Sequence, residues 1–338
     1  MQIFLPYTGL KTHTEILMGE FELIRNYFAA APCAQTGEGV ELGIGDDCAL
    51  LTLPPGEQLA VSTDTLVTGV HFPDGCDPFL LGQRALAVSA SDLAAMGATP
   101  VAFTLALTLP DVSADWLQHF AQGLNRMAEG CGLRLVGGDT TRGPLSLTLT
   151  VFGRVPAAQA LTRSGARPGD LLCVGGPLGD AAGALALVLN QRSTEASTAE
   201  ALLARYWSPQ PQFALGLALR GKASAALDIS DGLLADCGHI ALASKVRLVV
   251  EQDKLPMSPA LLTLVGLNAA QQAALSGGDD YLLAFTLPAA HLQGLLDADL
   301  PVHVIGRVEA GEGVGLIDTE GHDIPVLARG YQHFRETP

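Results

Sequence analysis

The placement of its aspartates is the feature that most constrains this chain. Six short segments set aspartate beside glycine or a small hydroxyl residue: Gly43-Ile44-Gly45-Asp46-Asp47, Ser62-Thr63-Asp64, Ser91-Asp92, Gly137-Gly138-Asp139, Asp228-Ile229-Ser230-Asp231 and Gly277-Gly278-Asp279-Asp280. Most follow or interrupt an apolar stretch, so their charges fall at the margin of a core and not on a solvated face. A carboxylate there is costly unless a cation meets it. With 19 lysines and arginines against 35 aspartates and glutamates, the chain has too few cations of its own. Divalent metal is the simplest resolution, and holding a polyphosphate is the simplest use of several divalent metals.

At 338 residues there is room for two domains, each with its own core. Hydrophobic residues make up 48% and charged residues 16%, the balance of a compact globular protein. No apolar run reaches the roughly 18 residues of a membrane span. The net charge of −16 and pI near 4.7 argue against nucleic-acid binding, which wants a basic face. The six cysteines are scattered with no CxxC pair, which fits the reduced thiols of a cytoplasmic enzyme better than a disulfide frame or zinc site. Residues 1–17 lack the basic n-region and small-residue cleavage site of a signal peptide and read as a disordered extension, with Met18 as the natural start.

Periodicity predicts helices over 20–28, 78–96, 114–128, 180–189 and 232–243, and strands over 59–62, 101–109, 133–136, 145–155, 170–174, 225–229, 281–287 and 302–308. This traffic is α/β or α+β. A stretch with Pro, Gly and no periodicity at 156–168 marks a boundary between an N-terminal domain, 18–156, and a C-terminal domain, 157–338. Both halves place acidic residues where strands end, the place where α/β folds gather ligand sites.

Magnesium takes hard oxygen ligands, usually one or two carboxylates with waters and substrate phosphates. Asp47, Asp64, Asp92, Asp139 and Asp228 have that character. Any one alone reads equally as a helix cap or Asx-turn, and Asp231, before a helix, is the best capping candidate. Their number, in a chain poor in charge, tips the balance to metal. Ser62 and Thr63 either add oxygen ligands or are ordinary strand-end polarity, and Gly138 lets backbone approach a phosphate closely. Gly175-Gly176-Pro177-Leu178-Gly179 either presents N–H groups to an anion or is a tight turn, and it matches neither GxGxxG nor the Walker pattern. Arg163 either clamps a phosphate or makes a surface ion pair, and His71 either meets a substrate phosphate or is structural. No Ser/His/Asp or Cys/His constellation stands out, so no covalent or general-base residue is expected.

In order, these segments resemble the thiamine-monophosphate kinase family of the AIR-synthetase-like (PurM-like) ATP-binding superfamily. The segments carrying the resemblance include GEFELIRNYF, GIGDDCALL, STDTLVTGVHF, SDLAAMGATP, GGDTTRGPLSLTL, LTRSGARPGD, LDISDGLLADCGHIA, SGGDDYLL and GYQHF. It implies a two-domain PurM-like fold whose N-terminal mixed sheet pairs across a homodimer, and ATP-dependent phosphorylation of thiamine monophosphate to thiamine diphosphate. It also implies magnesium ligands at Asp47, Ser62, Thr63, Asp64, Asp92, Asp139, Asp228 and Asp231, nucleotide contacts at Gly138, Asp139, Arg163 and Ser230, and substrate contacts at His71, Asp279 and position 328. The acceptor phosphate is already ionised near neutral pH, with a second pKa of about 6, so transfer needs no strong base; Arg163 would add fixed positive charge. Other enzymes of the superfamily, or a non-catalytic metal–nucleotide binding subunit, are the alternatives. Selenophosphate synthetase and the hydrogenase-maturation relative would each want a functional cysteine that the termini do not supply.

Two departures from the family pattern stand out. Where the family has Gly-Gly-Glu-Asp-Tyr-Glu, this chain has Gly277-Gly278-Asp279-Asp280-Tyr281-Leu282, so Asp279 is one methylene shorter. Ala328 holds the place of an aromatic residue that packs on the thiamine, and looser ring packing or a substitute aromatic is expected.

Overall fold

Strands in which apolar residues alternate with hydroxyl residues build the first sheet. The computed structural model describes residues 20–325 and 330. It opens with a short helix α1 (Glu20–Leu23) that widens into a π-type turn (Ile24–Ala29), then an antiparallel ribbon of β1 (Val40–Leu42) and β2 (Leu50–Leu51). β3 (Glu57–Val67), β4 (Thr99–Leu109), β5 (Arg134–Arg142) and β6 (Ser146–Pro156) form a four-stranded sheet in the order β3-β6-β4-β5. Only the β4–β5 pair is parallel.

Helices α2 (Pro78–Ala95) and α3 (Ala114–Cys131) cover one face of this sheet. Asp77 caps the first through the Phe79 amide at 2.8 Å, and Ser113 caps the second. The two helices cross where each has a glycine: a Cβ on Gly82 would stand 2.4 Å from the Phe120 carbonyl oxygen, and one on Gly123 1.9 Å from that of Phe79. On the opposite face the β1–β2 ribbon packs over Ala102, Val136 and Phe152, and the β3 side has no covering layer among the described residues. There Leu59 and Val61 are 45% and 54% exposed, and Thr63 and Thr65 pair across strands with Thr150 and Thr148.

The second sheet orders its strands β12-β9-β11-β7-β10-β8, from β7 (Leu171–Val174), β8 (Ala225–Asp228), β9 (Arg247–Glu251), β10 (Leu283–Leu287), β11 (His303–Glu309) and β12 (Gly313–Ile317). Around it lie α4 (Asp180–Val188), α5 (Ala196–Trp207), α6 (Phe213–Leu219), α7 (Leu233–Ser244), α8 (Pro259–Val265), α9 (Leu267–Ser276) and α10 (Leu292–Leu296). The mixed two-sheet α/β architecture is the one expected. β3 and β5 run well past the apolar stretches that announced them, because the Ser-Thr-Asp and Gly-Gly-Asp segments continue the strands instead of ending them. Arg220 braces the two halves by donating to the Gly97 carbonyl at 2.5 Å and the Thr99 hydroxyl at 3.0 Å. Among the described residues no helix is long and apolar enough to cross a membrane.

Candidate active site

Three carboxylates from three elements meet where α2 passes between the sheets. Asp92 lies three residues from the C-terminal end of α2, where the helix dipole opposes an anion. It accepts a short hydrogen bond from Ser62 of β3. Its neighbour Ser91 turns to the other sheet and donates to Asp228, at the end of β8, at 2.7 Å. Asp64 of β3 completes the group. Burial pushes the Asp64 carboxyl up to about 6, and the charge of Asp92 adds to the rise. Burial and the same charge push Asp228 up to about 7. Asp92 is raised by burial, with the Ser62 hydroxyl and the Arg163 guanidinium working against that rise.

The loop after β8 is held from within. One carboxylate oxygen of Asp236, on α7, accepts the amides of Ser230, Asp231 and Gly232 at 3.1, 3.0 and 3.1 Å. Gly232 takes the capping position and no side chain caps the helix. Of the two readings open for Asp231, the cap is thereby ruled out: Asp236 meets those amides, and Asp231 lines the cleft. Asp236→Ala strands three amides and is expected to destabilise the protein by about 3 kcal/mol in chemical denaturation, with Asp236→Asn milder.

A second loop is zipped onto the first. Asp279 N–H donates to the Ser230 carbonyl at 2.9 Å, and Tyr281 N–H to that of Ile229 at 2.8 Å. Asp279 and Tyr281 have φ of +69° and +48°, left-handed conformations that non-glycine residues adopt at a cost. The zipper sends the two aspartates opposite ways. Asp280 turns inward and accepts the Gly179 amide at 2.9 Å, while Asp279 turns to the cleft. With the Gly175 and Leu178 amides donating to the Leu283 and Pro256 carbonyls, the 175–179 segment is a turn rather than an anion cradle.

The cleft between the halves has a volume of about 750 Å³. From the first half it takes Thr63, Asp64, His71 and Asp92, and from the second Asp228, Ser230, Asp231 and Asp279. His71 accepts the Val67 amide on Nδ1 at 3.0 Å, so the neutral ring carries its proton on Nε2. Ser62 reaches the site through Asp92, and Arg163 is exposed and acts on it by charge. Asp47, Gly138 and Asp139 line a separate opening of about 450 Å³. Asp64 and Gly138 stand at one level of the sheet, through Leu149 and Leu105, three strand spacings or about 14 Å apart. Ala328 lies outside the described residues.

Two residues that were not singled out from the sequence, Arg84 and Tyr206, line the cleft beside Asp279. Arg84 of α2 is 2% exposed, and its guanidinium binds Asp279 at 2.9 Å and lies 4.0 Å over the ring of Tyr206. Tyr206 donates its hydroxyl to the His71 carbonyl at 3.1 Å. A lone arginine inside an apolar helix was the signal available for the first; nothing in the composition of α5 marked the second.

The donor set fits magnesium. Carboxylates and hydroxyls are hard oxygen donors, and burial, with the charge of Asp92 added, holds the carboxyls of Asp64 and Asp228 up where a cation would favour the ionised form. Among the described residues no three Asp, Glu, His or Cys side chains form a ready metal cage. Such an arrangement suits ions completed by phosphate and water.

Residues 45–155 match the AIR synthase related protein N-terminal domain, and residues 167–319 its C-terminal domain. The chain is 47% identical over 323 residues to the thiamine-monophosphate kinase of Escherichia coli K12, covering 94% of this chain and 98% of that one. The crystal structure of thiamine-monophosphate kinase from Stenotrophomonas maltophilia K279a superposes with a TM-score of 0.78 at 48% identity, over 82% of this chain and 91% of that one. A structure described as AaThiL complexed with AMPPCP and TMP superposes with a TM-score of 0.75 at 32% identity, over 84% and 89%. With two domains in the AIR synthase order and near-full-length identity of this size, the chain belongs to the thiamine-monophosphate kinase family.

Proposed function

We propose that the interdomain cleft binds thiamine monophosphate beside ATP and transfers the γ-phosphoryl group to give thiamine diphosphate and ADP. The observation that carries this reading is the meeting of Asp64, Asp92 and Asp228, from both halves, in one cleft of a chain with net charge −16. Two anionic substrates cannot share that cleft without cations. In the transfer, a terminal oxygen of the thiamine phosphate forms a bond to the γ-phosphorus as the bond from that phosphorus to the β–γ bridging oxygen breaks. The acceptor oxygen is already ionised, and no side chain has to remove a proton.

Magnesium, when bound, neutralises the phosphate oxygens and the charge that develops on them. Asp64, Asp92 and Asp228 would hold it with Ser62, Asp231 and the backbone carbonyl of Thr63, whose hydroxyl is taken up by Thr150 on the other face of the sheet, while Asp47 and Asp139 would hold it at the second opening. Gly138 lets the nucleotide phosphates approach backbone closely, Ser230 adds a contact to the nucleotide, and Arg163 adds fixed positive charge. His71 meets the substrate phosphate from the cleft wall, and Asp279 faces the organic part of the substrate. The open β3 side of the first sheet, with exposed Leu59 and Val61, supports a homodimer in which a second copy covers it. We further propose domains of 18–156 and 157–338, and a cytoplasmic location.

The test is direct. Purified protein with ATP, magnesium and thiamine monophosphate is expected to form thiamine diphosphate, followed by chromatography. ATP binding without that product would instead favour the non-catalytic binding subunit.

A further inference from the structure

The Arg84–Asp279 pair is badly designed as a stability device. Arg84 is almost fully buried and is the one basic residue of α2, and its Nε has no hydrogen-bond partner among the described residues. A buried ion pair that leaves a donor unmet gives a fold little net stability compared with apolar side chains of the same volume. Its contacts, however, run to three walls of the cleft. One Nη donates to the Asp279 carboxylate at 2.9 Å, on the strained loop of the second half. The other donates to the backbone carbonyl of Tyr206, on α5, at 2.6 Å. The Tyr206 ring stacks beneath the guanidinium, and its hydroxyl reaches the His71 carbonyl. The second oxygen of Asp279 accepts the Tyr281 hydroxyl at 3.0 Å.

Resting on the function proposed above, we infer that Arg84 is a positioning residue that sets affinity for the thiamine end of the acceptor substrate. It ties Asp279, Tyr206 and the His71 loop into one unit. It also compensates for the short carboxylate at 279: the long planar guanidinium spans the distance that the missing methylene leaves open, and holds Asp279 in one orientation. The half-exposed edge of that carboxylate then faces the cleft as an acceptor, suited to an amino group or a cationic ring such as an aminopyrimidine or thiazolium. Lysine would keep the charge at 84 but not the forked pair of nitrogens that reaches Asp279 and the Tyr206 carbonyl at once, nor the planar stack.

Steady-state kinetics of the full-length chain, with thiamine monophosphate and ATP varied separately, tests this. Arg84→Lys and Asp279→Glu are each expected to raise KM for thiamine monophosphate about tenfold, with kcat and KM for ATP within about twofold. In R84K/D279E a shorter cation meets a longer carboxylate, and KM is expected to return to within about threefold of wild type. Unchanged KM in the single variants overturns the inference. So does a rise in both KM values with a fallen Tm and no recovery in the double variant, the pattern of a merely structural residue. If Arg84→Lys does not fold, Asp279→Glu carries the test alone, since its side chain is 35% exposed. A wild-type protein that makes no thiamine diphosphate overturns the functional reading and this inference together, whereas an active wild type with unaltered variants overturns the inference only.

Discussion

Asp64→Asn is expected to lower kcat by at least about 10³-fold while making the metal-free protein more stable at pH 8. The two effects have one cause. Asp64 and Asp228 have carboxyls raised to about 6 and about 7, chiefly by burial and then by the charge of Asp92. The unfolded chain releases those protons near pH 4. Between about pH 4 and pH 7 the folded protein therefore holds more protons than the unfolded chain, and its stability falls as pH rises. Above that window the cost is complete, and below it the cost is absent. Asparagine removes the Asp64 share, so Tm of the variant should exceed that of wild type by about 3 °C at pH 8, with the difference vanishing near pH 4. Magnesium should raise the wild-type Tm more than the variant's. Near-normal turnover in the variant, or a Tm below wild type at pH 8, would remove Asp64 from the site.

Gly138→Ala is expected to be the most damaging single-methyl change in the first half. Gly138 has φ of +151°, and a Cβ there would stand 1.8 Å from the Leu105 carbonyl oxygen on the neighbouring strand β4. Two backbones would have to part, opening the β4–β5 pairing beside Asp139. A loss of more than about 3 kcal/mol is expected, with ATP affinity falling alongside. The adjacent Gly137 supplies the control. Its conformation is ordinary, and its Cβ would meet nothing nearer than the Thr104 methyl at 3.8 Å, so Gly137→Ala should change stability by less than about 1 kcal/mol. Equal stability of the two variants, measured by denaturant unfolding, would show that the close approach at 138 is not what requires glycine.

Much of the site was legible because buried charge is conspicuous against an apolar background. Asp64, Asp92 and Asp228 stood out for that reason, and the structure brings them together. Which aspartates meet was not legible, because the meeting depends on register and on packing between domains. Asp47 and Asp139 looked no different in sequence, yet they line a separate opening. Asp236 escaped notice because a polar residue in the first turn of a helix is ordinary; its value lies in reaching back to three amides. The strand lengths were underestimated for a related reason: alternation in β3 passes through threonine and aspartate, so hydrophobicity alone lost the period after Val61. In the second half, α5 does carry the helical spacing, at Ala199, Leu202, Leu203, Tyr206 and Trp207, and was legible but passed over, whereas α8, at seven residues, is too short to show a period.

An acidic cleft can hold two phosphorylated ligands only with cations standing between them. Titrating the wild-type protein with the non-hydrolysable analogue AMPPCP, once with magnesium and once with EDTA, tests it most directly. At least about a 100-fold loss of affinity in EDTA is expected, since uncompensated carboxylates would then face the polyphosphate alone. Equal affinity under the two conditions would contradict it.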